Sequence, residues 1–248
     1  GFESLVETVK NVLTMLNLKK AIIGMEPTGH YWKSCARYLK KKEWIKVVTV
    51  NPYHVKNSKE FDDNCQTKSD KKDCMTIARL IKDARFFEPY LPEGVWAELR
   101  NLSNTRAEIV RKRNAVKNRL IATMDEYFPE YTKVFKQIFS RTSEEILKEC
   151  PCPEDIKILG KEGLLKHIRE TVKRGYSKKQ VEKIYELAKE SIGVTEGVKG
   201  ARLQLNMYIE EAKLIEKQIK MTEQELERQL KETGFYENLI SIQGIGIV

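Results

Sequence analysis

The first 85 residues alternate between helical and strand-type hydrophobic patterns. Short apolar, β-branched runs predict two strands and helical spacing predicts three helices, in the order helix 2–16, strand 20–25, helix 28–42, strand 44–50 and helix 70–85. The segment after Asn51-Pro52 is interpreted as a polar connection. Helices alternating with apolar strands indicate an α/β layer with parallel strands. Because two strands are too few for a stable sheet, we expect further strands before Gly1.

Beyond residue 88 the pattern is helical throughout. Apolar spacing predicts long helices over 94–125, 177–192 and 199–232, with a proline-punctuated helical section between the first two. In the last helix, an apolar position every seven residues predicts a coiled coil with another helix of this chain or of a second protomer; these positions are Leu205, Ala212, Ile219 and Leu226. Residues 239–246 form a separate, glycine-punctuated apolar unit.

These patterns divide the chain into three expected parts, over residues 1–88, 89–233 and 234–248. The first is an α/β domain that lacks its first strands, and the second is an all-α region with a coiled coil. The chain opens without an initiator methionine inside a helical pattern and closes inside the glycine-punctuated unit. We therefore expect both ends of the natural protein to be missing.

The net charge of +9 changes the picture because the excess is concentrated. Between residues 100 and 120 there are seven Arg or Lys residues and one acid, Glu108. Such a segment indicates a polyanionic partner, DNA or RNA, because each neutralised phosphate releases condensed counterions. A solvated helix face explains a charge run equally well. The candidate nucleic-acid contacts on this helix are Arg106, Arg111, Lys112, Arg113, Lys117 and Arg119.

Cysteine usage and hydropathy bear on the compartment. Five cysteines, an odd count, occur in a lysine-rich chain without a signal peptide, which favours a reduced cytoplasmic protein. The Cys and His spacings do not match a paired zinc-finger pattern. No apolar run approaches the roughly 20 residues that a membrane span needs, so no membrane association is expected.

Three carboxylates stand at positions that suit a metal site. Glu26 directly follows the first predicted strand, where sites form in α/β sheets. Asp70 and Asp73 are three residues apart in the first turn of a predicted helix, so both project from one face near the positive end of the helix dipole. Each also has a structural interpretation, as a helix cap, a first-turn residue or an exposed turn residue.

If the helix packs against the strand ends, these carboxylates form a cluster of hard oxygen ligands suited to Mg²⁺ or Mn²⁺. Two such ions stabilise the attacking and leaving oxygens of a phosphodiester displacement. The lysines beside the aspartates either contact the nucleic-acid backbone or balance local charge; they are Lys68, Lys71 and Lys72.

These residues carry a family resemblance. The sequences MEPTGHYW over 25–32 and KSDKKDC over 68–74, followed by Ile77-Ala78, resemble the DEDD transposases and Piv-type invertases of bacterial and archaeal insertion sequences. The sequence SIQGIG over 241–246 resembles the start of that family's C-terminal transposase domain, with a helix-hairpin-helix-like turn. Cys74 and Gln243 depart from the usual Ala and Pro.

The resemblance implies a RuvC-like domain of ribonuclease-H type in which Glu26, Asp70 and Asp73 are three of four catalytic, metal-binding acids. The first Asp would precede Gly1, and a serine nucleophile would follow Val248. The resemblance also implies a structured guide RNA, homodimers or tetramers assembled through the coiled coil, and inactivity of this chain alone in recombination. Two alternatives remain open: a Holliday-junction resolvase-like two-metal nuclease without a serine, and a non-catalytic nucleic-acid-binding coiled-coil scaffold.

Overall fold

The computed structural model of the chain describes residues 1–63, 70–244 and 246, and for residues 59–63, 70 and 71 it describes the backbone alone. The chain forms two compact units, residues 1–93 and 94–248. Within the described residues, no helix has both the length and the apolar character needed to cross a membrane.

The first unit contains four helices and two strands among its described residues, in the order α1 (Phe2–Met15), β1 (Ala21–Met25), α2 (Tyr31–Lys40), β2 (Ile45–Thr49), α3 (Pro52–Asp63) and α4 (Asp70–Lys82). The strands pair in parallel, with Ala21 opposite Ile45 and Met25 opposite Thr49. This confirms the predicted α/β start of the chain with its parallel strands. Phe87 adds one antiparallel bridge to Thr49.

The two faces of this small sheet are covered by different helices. Ile45 and Val47 pack with Ala36 and Leu39 of α2, and Ile23 and Met25 of β1 border the same cluster. On the other side, Val50 packs with Val55 and Leu80, and with Ile77 and Ile81 of α4. Side chains alternate between faces along a strand, so Ile23 and Met25 face α2 while Gly24 between them faces α4.

Helix α3 corrects the sequence interpretation, which placed a polar connection after Asn51-Pro52. The Asn51 side chain accepts a hydrogen bond from the Tyr53 backbone N–H at 2.9 Å, and Pro52 occupies the first helical position. Both are start signals for a helix, because the Asn cap satisfies a free N–H and proline has none to leave unpaired. The helix lacks a regular apolar stripe, and Val55 is its one fully described buried side chain.

The second unit is built on two long helices joined by shorter ones: α5 (Val95–Tyr127), α6 (Tyr131–Val134), α7 (Arg141–Glu149), α8 (Pro153–Val172), α9 (Lys178–Lys189), α10 (Val198–Glu232) and α11 (Tyr236–Ile240). The predicted helices over 94–125, 177–192 and 199–232 are confirmed to within a few residues. Helices α5 and α10 lie side by side and antiparallel, since Arg106 pairs with Glu223, whereas Arg119, further along α5, pairs with the earlier Glu211 of α10.

The apolar seam predicted on α10 is the face that α5 covers. Leu205, Ala212, Ile219 and Leu226 are all buried, and Ala212 and Ile219 share a cluster with Val116 of α5. The helix that packs on the seven-residue seam is therefore α5 of the same chain.

Beyond this pair, α6 to α9 close around the C-terminal end of α5 and the N-terminal end of α10. Leu120 and Leu205 share one core with Tyr131, which is fully buried, and the Tyr131 hydroxyl lies 2.9 Å from Ser143 Oγ. Cys150 and Cys152 are buried here. Burial raises the pKa of their thiols to about 12 and about 11, so both remain protonated and unreactive.

The segment between α9 and α10 is held by a buried carboxylate. Ser191 Oγ donates to Glu130 Oε2 at 2.7 Å, and the Ile192 N–H donates to Oε1 at 3.3 Å. Burial raises the pKa of Glu130, but these hydrogen bonds outweigh it and leave the pKa below its ordinary value. The ionised carboxylate therefore fastens this segment to the end of α5.

Candidate functional site

Helix α4 crosses β1 at a point where the strand has no side chain. A β-carbon at Gly24 would overlap the Ile81 side chain and lie 3.1 Å from Ile77 Cγ2. Glycine here permits close approach of the helix and is not needed for an unusual backbone angle, since a β-carbon would require the Ile81 side chain to shift. The contact fixes which face of α4 is turned toward the strand.

Glu26 follows this contact along the chain. It lies two residues beyond Gly24, directly after the last residue of β1, Met25. Glu26 is half-buried. Its carbonyl oxygen accepts a hydrogen bond from the Thr28 N–H at 2.9 Å, and Gly29 then turns the chain with φ of +59°.

Asp73 lies on the helix face that makes the contact. Asp73, Ile77 and Ile81 are spaced by four residues each, which stacks them along one side of α4. Asp73 is half-buried, and its Oδ1 atom is shielded from solvent. Asp73 thus lies on the helix face that meets β1 at Gly24, and Glu26 is two residues beyond that glycine in sequence. Asp70 begins α4, and its side chain lies outside the described set.

The lysines predicted beside the aspartates are only partly described. Lys68 and the side chain of Lys71 lie outside the described residues, and Lys72 is half-buried. Among the side chains that the structure describes, no three His, Cys, Asp or Glu residues are grouped so as to hold a metal ion. Asp70 is not among them, so this absence does not concern the predicted three-carboxylate group.

Half of the predicted basic contacts on α5 have carboxylate partners on α10. Arg106 pairs with Glu223 at 2.9 Å, and Arg113 with Glu216 and Arg119 with Glu211, each at 3.4 Å. Arg119 also lies over the Tyr208 ring, 5.3 Å from its centroid. The arginines thus join the two long helices. This role is not evident from the charges of α5 alone, because the glutamate partners lie about a hundred residues further along the chain.

The other three candidates on α5 differ among themselves. Lys112 pairs with Glu108 one turn earlier, at 2.9 Å, and this lysine lowers the pKa of Glu108 by hydrogen bonding. Arg111 is exposed and Lys117 is half-buried, and neither forms an ion pair with the part of the chain that the structure describes. Arg111 and Lys117 are therefore the residues of α5 most available to a phosphate.

Comparison with known families gives the remaining context. The model of the DEDD-type IS110 family, described as a transposase, matches residues 1–129, just over half of the chain. The matched segment contains Glu26, both aspartates of α4 and all of α5. No curated protein matches the chain. The family acts in DNA transposition and generally uses divalent metals, and this chain, with its α/β start and its long helices, belongs to the IS110-type DEDD transposases.

Proposed function

We propose that this chain is part of a DNA recombinase in which Glu26, Asp70 and Asp73 bind Mg²⁺ or Mn²⁺ and act on DNA strands. Membership of the transposase family supports DNA as the substrate. The contact of α4 with Gly24 supports the metal proposal, because it brings the helix face of Asp73 against β1, the strand that Glu26 directly follows. A RuvC-like fold for the first unit is part of the same proposal, supported by its parallel strands with a helix on each face.

The donor set suits a hard divalent cation. Carboxylate oxygens are the ligands that Mg²⁺ and Mn²⁺ prefer. Glu26 and Asp73 are half-buried, which strengthens their electrostatic attraction for a cation relative to exposed carboxylates. The positive end of α4 favours the negative charges of its first turn. A bound cation would supply Lewis-acid stabilisation of charge developing on a phosphodiester. The three acids would hold and orient it.

Calorimetric titration of the 248-residue chain with Mn²⁺ tests the metal site. We expect Glu26→Gln, Asp70→Asn and Asp73→Asn each to weaken binding at least about tenfold, the lower end of what loss of even an outer-shell partner costs. Asp83→Asn is the matched control, since Asp83 is an exposed carboxylate just after the other end of α4. If the three variants bind Mn²⁺ with the same affinity as the control, these acids are not ligands of a metal. Circular dichroism checks that each variant is folded.

We also propose assembly as a dimer or tetramer through a coiled coil on the outward face of α10. Met207, Leu214 and Met221 are seven residues apart and 62%, 57% and 59% exposed. They lie opposite the face that α5 covers, so α10 carries a second apolar stripe with the spacing of a coiled-coil seam.

Sedimentation velocity tests this assembly. We expect Leu214→Glu to shift the protein toward a monomer, because a charge in the centre of an apolar seam is left unpaired on association. Asn118→Asp makes the same change of charge at an exposed position of α5, away from the stripe, and should leave the assembly intact. An unchanged oligomer in Leu214→Glu would assign assembly to another surface.

The resemblance leads us to propose three further features: a serine outside this chain that joins strands, a structured guide RNA, and inactivity of this chain alone in recombination. A serine–DNA adduct trapped by denaturing the complete recombinase during reaction would support the serine. Cleaved ends without an adduct would instead favour two-metal hydrolysis of RuvC type.

A further inference from the structure

The connection between α8 and α9 carries a dense group of cations. Residues 173–179 contain Lys173, Arg174, Lys178 and Lys179 and no acidic residue, and all four cationic side chains are exposed. We call these seven residues the basic turn. In contrast to Arg106, Arg113 and Arg119 of α5, none of the four forms an ion pair with any residue of the described ranges. Their charge is therefore available to an external anion.

The basic turn is held in one conformation by its neighbours. Tyr176 packs against the core of the second unit, and Ser177 caps α9 by accepting from the Gln180 N–H at 3.4 Å. The Arg174 N–H donates to the Val172 carbonyl at 2.7 Å. Cations on an ordered backbone lose less conformational entropy on binding than cations on a flexible one.

Lys173 adopts an uncommon backbone conformation within this turn, with φ of +60°. A residue that has a β-carbon destabilises the folded state by on the order of 1 kcal/mol when its φ is positive, and such residues concentrate at functional sites. Gly175 shares the positive φ, at +83°, without that cost. The fold thus accepts strain at the residue that begins the group of cations.

A groove of about 450 Å³ borders the basic turn. Its lining is mainly polar and includes Lys136, Gln137, Ser140, Thr142, Gly175 and Gln180. Lys136 is exposed and adds a fifth cation, also without an ion pair to the described part of the chain. Hydroxyl, amide and ammonium groups are the donors that proteins use toward phosphate oxygens. The groove and the turn together fit a chain of phosphates better than they fit an apolar ligand.

We propose that the basic turn and its groove form a binding surface for the phosphodiester backbone of DNA, distinct from α5 and from the proposed metal site. The contact with a polyanion rests on the charges and the groove. The choice of DNA rests on the function proposed above. Because the proposed contacts are to backbone phosphates and not to base edges, the surface would position DNA and not select its sequence.

Fluorescence anisotropy of a labelled DNA duplex over a series of salt concentrations tests this surface. The variant replaces the four cations of the basic turn together: Lys173→Gln, Arg174→Gln, Lys178→Gln and Lys179→Gln. We expect at least about tenfold weaker binding at moderate salt. The dependence of log K on log salt should become shallower by roughly 0.9 for each phosphate that the protein no longer neutralises. Lys136→Gln alone should make it shallower by up to about 0.9.

A second fourfold variant serves as the control, because it lowers the net charge by the same amount. It replaces cations that already have carboxylate partners, namely Lys157→Gln, Lys189→Gln, Arg228→Gln and Lys231→Gln. It should keep the slope of the unmodified chain. Equal losses in both variants would show that net charge alone matters, and would overturn the proposed surface.

Two further arms identify the polyanion. If the basic-turn variant loses binding to an RNA hairpin but binds DNA as before, the choice of DNA is overturned. If it loses only binding to an acidic peptide, any nucleic-acid role is overturned. Asp83→Asn, measured in the same assay, should retain the salt slope of the unmodified chain. A shallower slope in the basic-turn variant, with Mn²⁺ affinity unaffected by Asp73→Asn, would support this surface while rejecting the metal site.

Discussion

Replacing Gly24 by valine is expected to destabilise the first unit by about 3 kcal/mol, at the upper end of the cost of overpacking a core. A β-carbon at this position already overlaps the Ile81 side chain and approaches Ile77, and valine adds two methyl groups. Rotation of the terminal methyl group of Ile81 can relieve the overlap with a single β-carbon, whereas we expect the two further methyl groups of valine to move α4 away from β1. Because α4 carries Asp73, we also expect Mn²⁺ binding to be lost.

Urea unfolding followed by tryptophan fluorescence measures this effect. Trp32 and Trp44 report on the first unit, and Trp96→Phe removes the signal of the second. Gly24→Ala combined with Ile81→Ala is the compensating variant, since it removes the side chain that the new methyl group meets. We expect the double variant to lose less free energy of unfolding than the sum of the losses in the two single variants. Strict additivity would mean that Gly24 and Ile81 are not in contact.

Replacing Gly193 by alanine is expected to destabilise the second unit by about 2–4 kcal/mol, because the obstruction is backbone. A β-carbon there would overlap the Tyr127 carbonyl oxygen and lie 3.2 Å from the Phe128 nitrogen. Neither atom can rotate away as a side chain can. The same substitution would pull Ser191 and Ile192 from the Glu130 carboxylate that binds them.

Gly200→Ala is the matched control for this prediction. Gly200 lies in α10, and a β-carbon there meets no atom within 4 Å. Since alanine is favoured over glycine in a helix, this change should stabilise the protein by up to about 1 kcal/mol. Thermal unfolding by circular dichroism compares the two variants, and hydrogen exchange locates the loss of protection. Similar melting temperatures for both variants would contradict the close approach at Gly193.

The periodicity of apolar residues was sufficient to predict the parallel strands and the long helices. It failed at α3, where the described side chains give no regular stripe and the start signal lies in Asn51 and Pro52. Capping chemistry depends on two residues, whereas periodicity needs many. A helix with little buried surface is therefore recognised only from its first turn.

The candidate site was predictable in part, for a related reason. Helical spacing placed Asp70 and Asp73 on one face, but it could not show that this face meets β1, since that depends on the absent side chain of Gly24. The charges of α5 posed the converse difficulty. Arg106, Arg113 and Arg119 have the composition of a nucleic-acid contact, and only the antiparallel register with α10 reveals their glutamate partners. Pairing between distant segments is not encoded in local spacing.

The antiparallel pairing of α5 with α10 fixes the distance between the two ends of the second unit. The rings of Trp96 and Phe235, at the start of α5 and just past the end of α10, are 6.1 Å apart, while α6 to α9 lie at the opposite end of the pair. At 1.5 Å per residue, the 35 residues of α10 span roughly 50 Å. Seven residues inserted at facing positions of both helices would lengthen the pair by about 10 Å while nearly preserving its buried faces. The distance between the two ends of the pair can therefore change in steps of seven residues while the fold stays the same.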